Sequence, residues 1–452
     1  MSDRNTKHEG RNTNKKFVIE RLLFVLFFAY CLLPTAYCFS QSITNSPYSR
    51  FGLGELQYSA FAHNSSMGGI YNALQNDTTA PFFINVSNPA SHASSRLTSF
   101  DFGLKSNTTK LETDAKTISS NQTALSYMAL AFPVAKWWGA SCGLMPYSNV
   151  GYKIYDKKTV DSIGDVNYSY DGKGGISQLY FGNGFKVKKL YAGVNLSYLF
   201  GDMAFSGRDS FPKGSNFLNT KVIQTTRISD VYYTFGLQYR QQLKNNWSLT
   251  LGATGGLQTN INVKKTIFAA TYLNNFGVEV VKDTVMNDAD VKDAVTIPMM
   301  YGGGFVLKKG DKFLFGFDYS IQDWSRFSSF GQQGLLKDSR RMAVGIQYIP
   351  NKNAGTKESY LKKIFYRAGF RYADTYLELK NTPLKDYAVT FGAGLPLRKI
   401  KIGEMYSQSV INIGCEIGQR GTIANQLIRE RYVNAFVSFT LNDRWFIKRK
   451  YD

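Results

Sequence analysis

The sequence predicts an all-β protein, a 14-stranded antiparallel transmembrane β-barrel with an N-terminal hatch segment in its lumen. Three observations lead there. Apolar residues alternate with small or polar ones at a period of two, over stretches of about ten residues or more. Beyond the N-terminal leader no run of roughly 18 apolar residues occurs, which leaves no helical membrane span. The 452 residues combine 15% aromatics and 40 glycines with only 19% charged residues, a composition of strands and turns.

The first forty residues read as a secretory signal peptide. Lys15, Lys16 and Arg21 precede an uncharged stretch from Leu22 to Leu33, then Pro34 and smaller residues up to Ser40. Cys38 invites a lipoprotein reading, but Tyr37 stands where such signals carry a small residue. Cleavage after Ser40 takes away six Lys/Arg and three Asp/Glu, so the net charge of +21 falls only to about +18. An exported chain this basic, with its cations spread out, is expected to meet anionic outer-membrane lipids rather than nucleic acid. Two cysteines remain, Cys142 and Cys415, too few for a disulfide-stapled fold.

Residues 41–94 do not alternate. Ser46-Pro47-Tyr48, Ser66-Met67-Gly68-Gly69 and Asn88-Pro89-Ala90-Ser91 are turn chemistry, and so long an irregular segment must be solvated or packed inside something. It is expected to be the hatch. The barrel is expected over 95–446, followed by a basic periplasmic tail at 447–452. Candidate strands are 95–110, 122–135, 137–152, 176–188, 189–201, 220–241, 245–266, 294–308, 311–324, 339–350, 363–378, 385–398, 407–420 and 428–441. The total is even, as bacterial barrels require. Short joints alternate with longer loops at 111–121, 153–175, 202–219, 267–293, 325–338, 379–384 and 421–427, as expected when short turns and both termini face the periplasm.

The inner faces separate a barrel from a soluble sandwich. In the strand from Trp247, Leu249, Leu251 and Ala253 alternate with Ser248, Thr250, Gly252 and Thr254, and Phe313, Phe315, Phe317 and Tyr319 alternate with Gly316, Asp318 and Ser320. Long strands, a small polar face and aromatics near strand ends fit an apolar face in lipid and a polar lumen. A sandwich would instead turn its polar face outward, rich in Lys and Glu.

Asn88-Pro89-Ala90-Ser91 before the first strand, Trp138-Gly139 running to Pro146-Tyr147-Ser148, and Tyr319-Ser320-Ile321-Gln322-Asp323-Trp324 resemble the FadL/TodX family of outer-membrane barrels, in its divergent Bacteroidota branch. The resemblance covers nearly all of the mature chain and implies fourteen strands, a lumenal hatch and passage of hydrophobic molecules such as long-chain fatty acids. Other members of that branch resemble partner barrels of larger outer-membrane complexes, such as the type IX secretion translocon. Two functions therefore stay open: a passive channel for hydrophobic or amphiphilic molecules, or a sealed partner barrel.

Catalysis finds little support. Only His63 and His92 follow the leader, both in the irregular segment, and no CxxC, HExxH or P-loop occurs. No enzyme activity, cofactor or metal site is expected; Asp283, Asp288, Asp290 and Asp293 lack the glycine and terminal glutamate of a calcium loop. Asp101, Lys105, Arg240, Asp318, Arg367, Arg371 and Glu416 fall on the inward parity. Of these, Asp318, Arg367, Arg371 and Glu416 are the candidate ligand-binding residues. Arg367 and Arg371 share one face of a strand, either as a cationic spot for a carboxylate or the hatch, or within an ion-pair lattice with Asp318 and Glu416. Cys142 and Cys415, on the apolar parity four strand steps apart, are expected to be free thiols. Trp445 and Phe446 with the cations after them suit an interfacial anchor, the alternative being a docking site for a periplasmic partner.

Overall fold

The computed structural model describes residues 44–445 apart from 59, 77–79, 213–214, 276–277, 330, 334–335, 356–357 and 403–404. The expected signal peptide and the basic tail lie outside the described residues. The wall begins with β2 (Thr98–Glu112), β3 (Thr117–Ala135), β4 (Trp138–Val160), β5 (Gly164–Val187), β6 (Leu190–Ser210) and β7 (Asn219–Gln242). These follow β1 (Glu55–Leu56) and a short helix, α1 (Ala62–Ser65), in the N-terminal segment. Two crossings are made in pieces, β8 (Trp247–Gly256) with β9 (Thr259–Asn275), and β10 (Val278–Ile297) with β11 (Met300–Lys309). After β12 (Phe313–Gln322) and the short β13 (Ser328–Ser329) and β14 (Gln332–Gln333) come β15 (Ser339–Tyr348), β16 (Phe365–Leu379) and β17 (Thr382–Pro396). A small hairpin, β18 (Ile400–Ile402) with β19 (Met405–Ser407), leads to β20 (Val410–Arg420) and β21 (Arg429–Asp443).

Neighbouring crossings pair antiparallel, and β21 closes on β2 from Asp443↔Thr98 to Arg429↔Glu112. The wall is a closed 14-stranded barrel. Its outer face carries the apolar set: Leu251, Leu237, Phe391, Ile413 and Val433 are all exposed, as lipid contact requires. At the end holding the short turns, the rings of Trp137, Trp138 and Phe185 stack at 6.0–6.1 Å, an interfacial aromatic cluster.

The expected strands all find a crossing, but most of the expected long loops do not exist as loops. Residues 153–160 and 164–175 continue β4 and β5, β6 reaches Ser210, and much of 267–293 is the β9–β10 hairpin. Between β16 and β17, Lys380 and Asn381 both take positive φ (48° and 56°), the backbone of a two-residue hairpin turn, so the loop expected at 379–384 shrinks to a tight reversal. Past the membrane edge both faces of a strand meet water, and the alternation that marks a strand disappears. All but the last few residues of β10, for example, are exposed on both faces.

One seam is incomplete. β3 and β4 pair from Ala135↔Trp138 only as far as Met128↔Leu144. Above that point, residues 117–127 of β3 pair with β2 alone. The freed edge of β4 is taken partly by β1, through Glu55↔Asn149 and Leu56↔Ser148.

Candidate functional site

The described residues of 44–97 lie against the inward faces of the wall. Asn88, at the head of a 3-10 turn over Pro89–Ser94, caps that turn by accepting from the Ala90 N–H at 3.1 Å. Its side-chain amide donates to the Asn72 carbonyl at 2.5 Å. Phe61 stacks on Tyr127 at 3.8 Å, and Met67, Ile70 and Leu74 pack on Val306 and Leu314. At Gly369 of β16 the segment comes so close that a Cβ would sit on the Gly68 nitrogen and the Met67 carbonyl carbon. The small inner face of the strands is thus shaped to admit this backbone.

Charged wall residues hold the segment. Asp318 Oδ2 accepts from the backbone N–H groups of Tyr71 at 2.5 Å and Asn72 at 2.9 Å. Arg341 donates to the carbonyls of Gly68 (2.8 Å) and Gly69 (3.0 Å). From the segment itself, Glu55 pairs with Arg420 at 3.0 Å, and Arg420 pairs with Glu430 at 2.6 Å. Burial pushes the Glu55 carboxyl up, but Arg420 and the Thr44 hydroxyl outweigh it and hold the group below the usual range. Both histidines are buried in the segment, and burial pushes His92 down to about 4 and His63 well below its ordinary value.

The four expected site residues do not form one cluster. Arg371 is the centre of a buried lattice, donating to Asp386 (3.0 Å), Glu416 (2.5 Å) and Tyr432 (2.6 Å). Asp318 is absent from that lattice; its Oδ2 takes the two backbone N–H groups of the segment instead. Arg367 stands apart too, donating to the amide oxygens of Gln347 (2.8 Å) and Asn412 (2.7 Å). Sequence reasoning missed Asp386, Arg341, Arg420, Glu430 and Glu55. Asp386 shares the inward parity of β17 with Ala388 and Thr390, a usable signal, whereas nothing local marks Glu55 as a partner of Arg420. Cys142 and Cys415 are free thiols. Among the described residues no three His, Cys, Asp or Glu side chains gather as a metal site.

A cavity of about 350 Å³ lies between the segment and the wall. Arg341, Arg371, Asp386 and Arg420 line it with charge and Tyr58 with a phenol, while Leu56, Met145, Tyr147 and Trp324 are its apolar lining. It reaches the incomplete seam through Gln122, Ala124, Leu125 and Ser126 of β3. Toward the loop end lies a buried apolar cluster that includes Tyr48, Leu53, Leu199, Ile261, Val295 and Trp324.

The closed 14-stranded antiparallel barrel is the fold of the FadL/TodX-type transporters. The toluene transporter TbuX of Ralstonia pickettii superposes with a TM-score of 0.54 at 14% identity, over 86% of this chain and 100% of the other. The toluene transporter TodX of Pseudomonas putida gives 0.54 at 16%, over 86% and 100%. A FadL homologue of Pseudomonas aeruginosa gives 0.53 at 11%, over 87% and 100%. No curated protein matches in sequence. The chain belongs to the BamG family, whose model matches residues 19–452.

Proposed function

We propose that the protein is a passive, non-enzymatic outer-membrane channel for hydrophobic or amphiphilic small molecules, entered or left sideways through the wall. The observation that carries this reading is the seam between β3 and β4, unpaired above Met128 and Leu144 and continuous with the 350 Å³ cavity. Unpaired strand edges within lipid leave backbone groups unsatisfied, so a barrel keeps such a gap only where something uses it. The cavity has both chemistries an amphiphile needs, a tyrosine and leucine lining and charged side chains. Structures of the same fold belong to toluene transporters, which agrees with an apolar cargo.

The test fills the gap. Ser126 lies at the irregularity of β3 and lines the cavity, so Ser126→Trp should abolish uptake of toluene and lauric acid in cells that depend on this chain, with normal folded yield. Undiminished uptake of both by a folded Ser126→Trp protein would remove the lateral route.

A second reading, a sealed partner barrel in a larger outer-membrane complex, is favoured by two other observations. A buried apolar cluster packs toward the loop end, and the outward faces of β2 and β3 carry a polar patch of Ser106, Thr108, Asn121 and Thr123 linked by hydrogen bonds of 2.6–3.4 Å. Its neighbour across the ladder, Val433 opposite Thr108, is apolar, so the patch interrupts the lipid-facing band. Weighing the assembly purified from its own membrane in mild detergent separates the two: a stoichiometric protein partner supports this reading, a lone barrel the channel.

A further inference from the structure

At the turn end of the barrel, two connections bring a cluster of cations beside exposed apolar side chains. They are residues 349–364 between β15 and β16, and residues 397–409 between β17 and β20. Side chains tie the two together: the Tyr360 hydroxyl donates to the Pro396 carbonyl at 3.0 Å, and Lys399 Nζ donates to the Asn353 amide oxygen at 2.9 Å. The second bond holds Lys399 near Lys352 and Lys363. Burial and those two charges, offset in part by Asp311, keep its ammonium below the ordinary range. Carboxylates answer only part of this charge. Asp311 pairs with Lys352 at 3.4 Å, and Glu358, the only carboxylate of the two connections among the described residues, pairs with Lys362 at 3.7 Å. Among the described residues Lys363 and Lys399 have no carboxylate within ion-pair distance, and Arg398 and Lys401, both exposed, flank Lys399. The loop end is built differently, for there Lys157 pairs with Asp165, Arg208 with Asp171 and Arg227 with Asp202, at 2.7–2.9 Å. Apolar side chains stand among the cations, with Leu361 62% exposed, Ile400 61% and Leu397 45%. Tyr366, on the lipid-facing side of β16, donates to the Leu361 carbonyl at 3.1 Å, so the 3-10 turn over Tyr360–Lys363 lies at the outer surface of the wall.

Like charges held together repel unless an anion comes among them, and large apolar side chains are unfavourable in water but not at a hydrocarbon boundary. One kind of partner meets both conditions. We infer that this cluster docks a phospholipid of net negative charge, its headgroup phosphate between Lys363 and Lys399 and its acyl chains along Leu361, Leu397 and Ile400. A phosphodiester carries one negative charge and offers oxygens to both ammonium groups. A zwitterionic headgroup brings an ammonium of its own into a cluster with positive charge to spare, which disfavours it. An acidic protein would answer the cations but leave the apolar side chains beside Tyr366 without a role at the membrane boundary. The inference rests on the barrel standing in a membrane and not on the channel reading, since it uses neither the seam nor the large cavity.

The experiment is native mass spectrometry of the delipidated full chain in detergent, titrated with dioleoyl phosphatidylglycerol and, separately, with dioleoyl phosphatidylethanolamine. Saturable binding of phosphatidylglycerol is expected, clearly tighter than that of phosphatidylethanolamine. Lys363→Gln with Lys399→Gln should weaken phosphatidylglycerol ~30-fold, as two cations at an anionic headgroup are worth, and leave phosphatidylethanolamine nearly unchanged. Leu361→Asn with Ile400→Asn should weaken both lipids, which tests the apolar half of the site by a second variant. Lys188→Gln with Lys189→Gln removes two exposed cations at the β5–β6 turn and should change neither, which separates this site from charge spread over the turn end. Equal affinity for the two lipids, binding unchanged by the Lys363 and Lys399 replacements or by those at Leu361 and Ile400, or an equal loss on replacing Lys188 and Lys189 would each overturn the inference. So would displacement of phosphatidylglycerol by inorganic phosphate where chloride at equal ionic strength leaves it bound, which would mark a free-anion site. An acidic protein that co-purifies through Lys363 and Lys399, with no preference for phosphatidylglycerol, would overturn it in favour of a protein partner.

Discussion

Replacing Arg371 with methionine tests whether the lumenal charges brace the wall. The guanidinium sits 7% exposed between Asp386, 8% exposed, and Glu416, 13% exposed, at 3.0 and 2.5 Å, and lies 5.2 Å from the Tyr58 ring of the N-terminal segment. Removing it leaves two carboxylates facing each other in a water-poor interior. Breaking a buried pair from one side costs about 3–5 kcal/mol. Asp386 keeps its bond from the Tyr432 hydroxyl at 2.6 Å, which places the loss toward the lower end. Arg371→Met combined with Asp386→Asn and Glu416→Gln removes all three charges with little change of shape and should recover at least half of that loss, because neutral groups carry a far smaller desolvation cost. The assay is the urea midpoint of the barrel in lipid–detergent mixtures, read as the gel-mobility change between folded and unfolded forms. A single variant as stable as the original protein, or a triple variant no more stable than the single one, would refute the bracing role.

Three other outcomes follow from the same geometry. Gly369→Ala drives a Cβ into the backbone of Gly68 and Met67, an overpacking of about 1–3 kcal/mol or more. It should make residues 44–97 sensitive to protease in membranes where the unaltered segment resists. His92 is buried neutral, its pKa lowered from 6.5 to about 4, so the unfolded chain binds the extra proton between those values. Stability is therefore complete above pH 6.5 and falls as pH drops toward 4, by about 3 kcal/mol from this group. His92→Gln should flatten that part of the pH–stability curve, and an unchanged curve counts against the neutral buried ring. Cys142 and Cys415 should each take one membrane-permeant maleimide without prior reduction, seen as two adducts by intact mass.

The period-two pattern was enough to find every wall crossing, since lipid on one side and a crowded lumen on the other impose different chemistry on alternate residues. It failed where that contrast ends. Residues 278–293 of β10 stand in solvent on both faces, so their sequence, with Asp283, Asp288 and Asp290, reads as a loop although hydrogen bonding to β9 makes it a strand. The inner glycines were visible as part of a small polar face, but their reason was not: Gly369 is small because Met67 and Gly68, some 300 positions earlier, pass over it. Long-range pairs behave likewise. Arg371 was legible as an inward cation, whereas its choice of Asp386 over Asp318 depends on which oxygens the N-terminal segment has already claimed.

That claim also bears on how anything could pass. Withdrawing the segment would break the bonds from Tyr71 and Asn72 to Asp318, from Arg341 to Gly68 and Gly69, from Gly68 to Thr390, from Gln238 to Asn72 and Leu74, and from Tyr376 to Gly54. At about 1 kcal/mol net for a neutral bond and more for one to a charged group, the sum is on the order of 10 kcal/mol before any apolar contact is counted. That cost falls on any path that begins by withdrawing the segment. A passive route that ejects the segment is therefore costly, while at the seam above Met128 and Leu144 no β3–β4 ladder bond has to be broken and only the short β1 pairing with Ser148 and Asn149 stands in the gap. The lateral path proposed above leaves the segment's bonds to Asp318 and Arg341 in place.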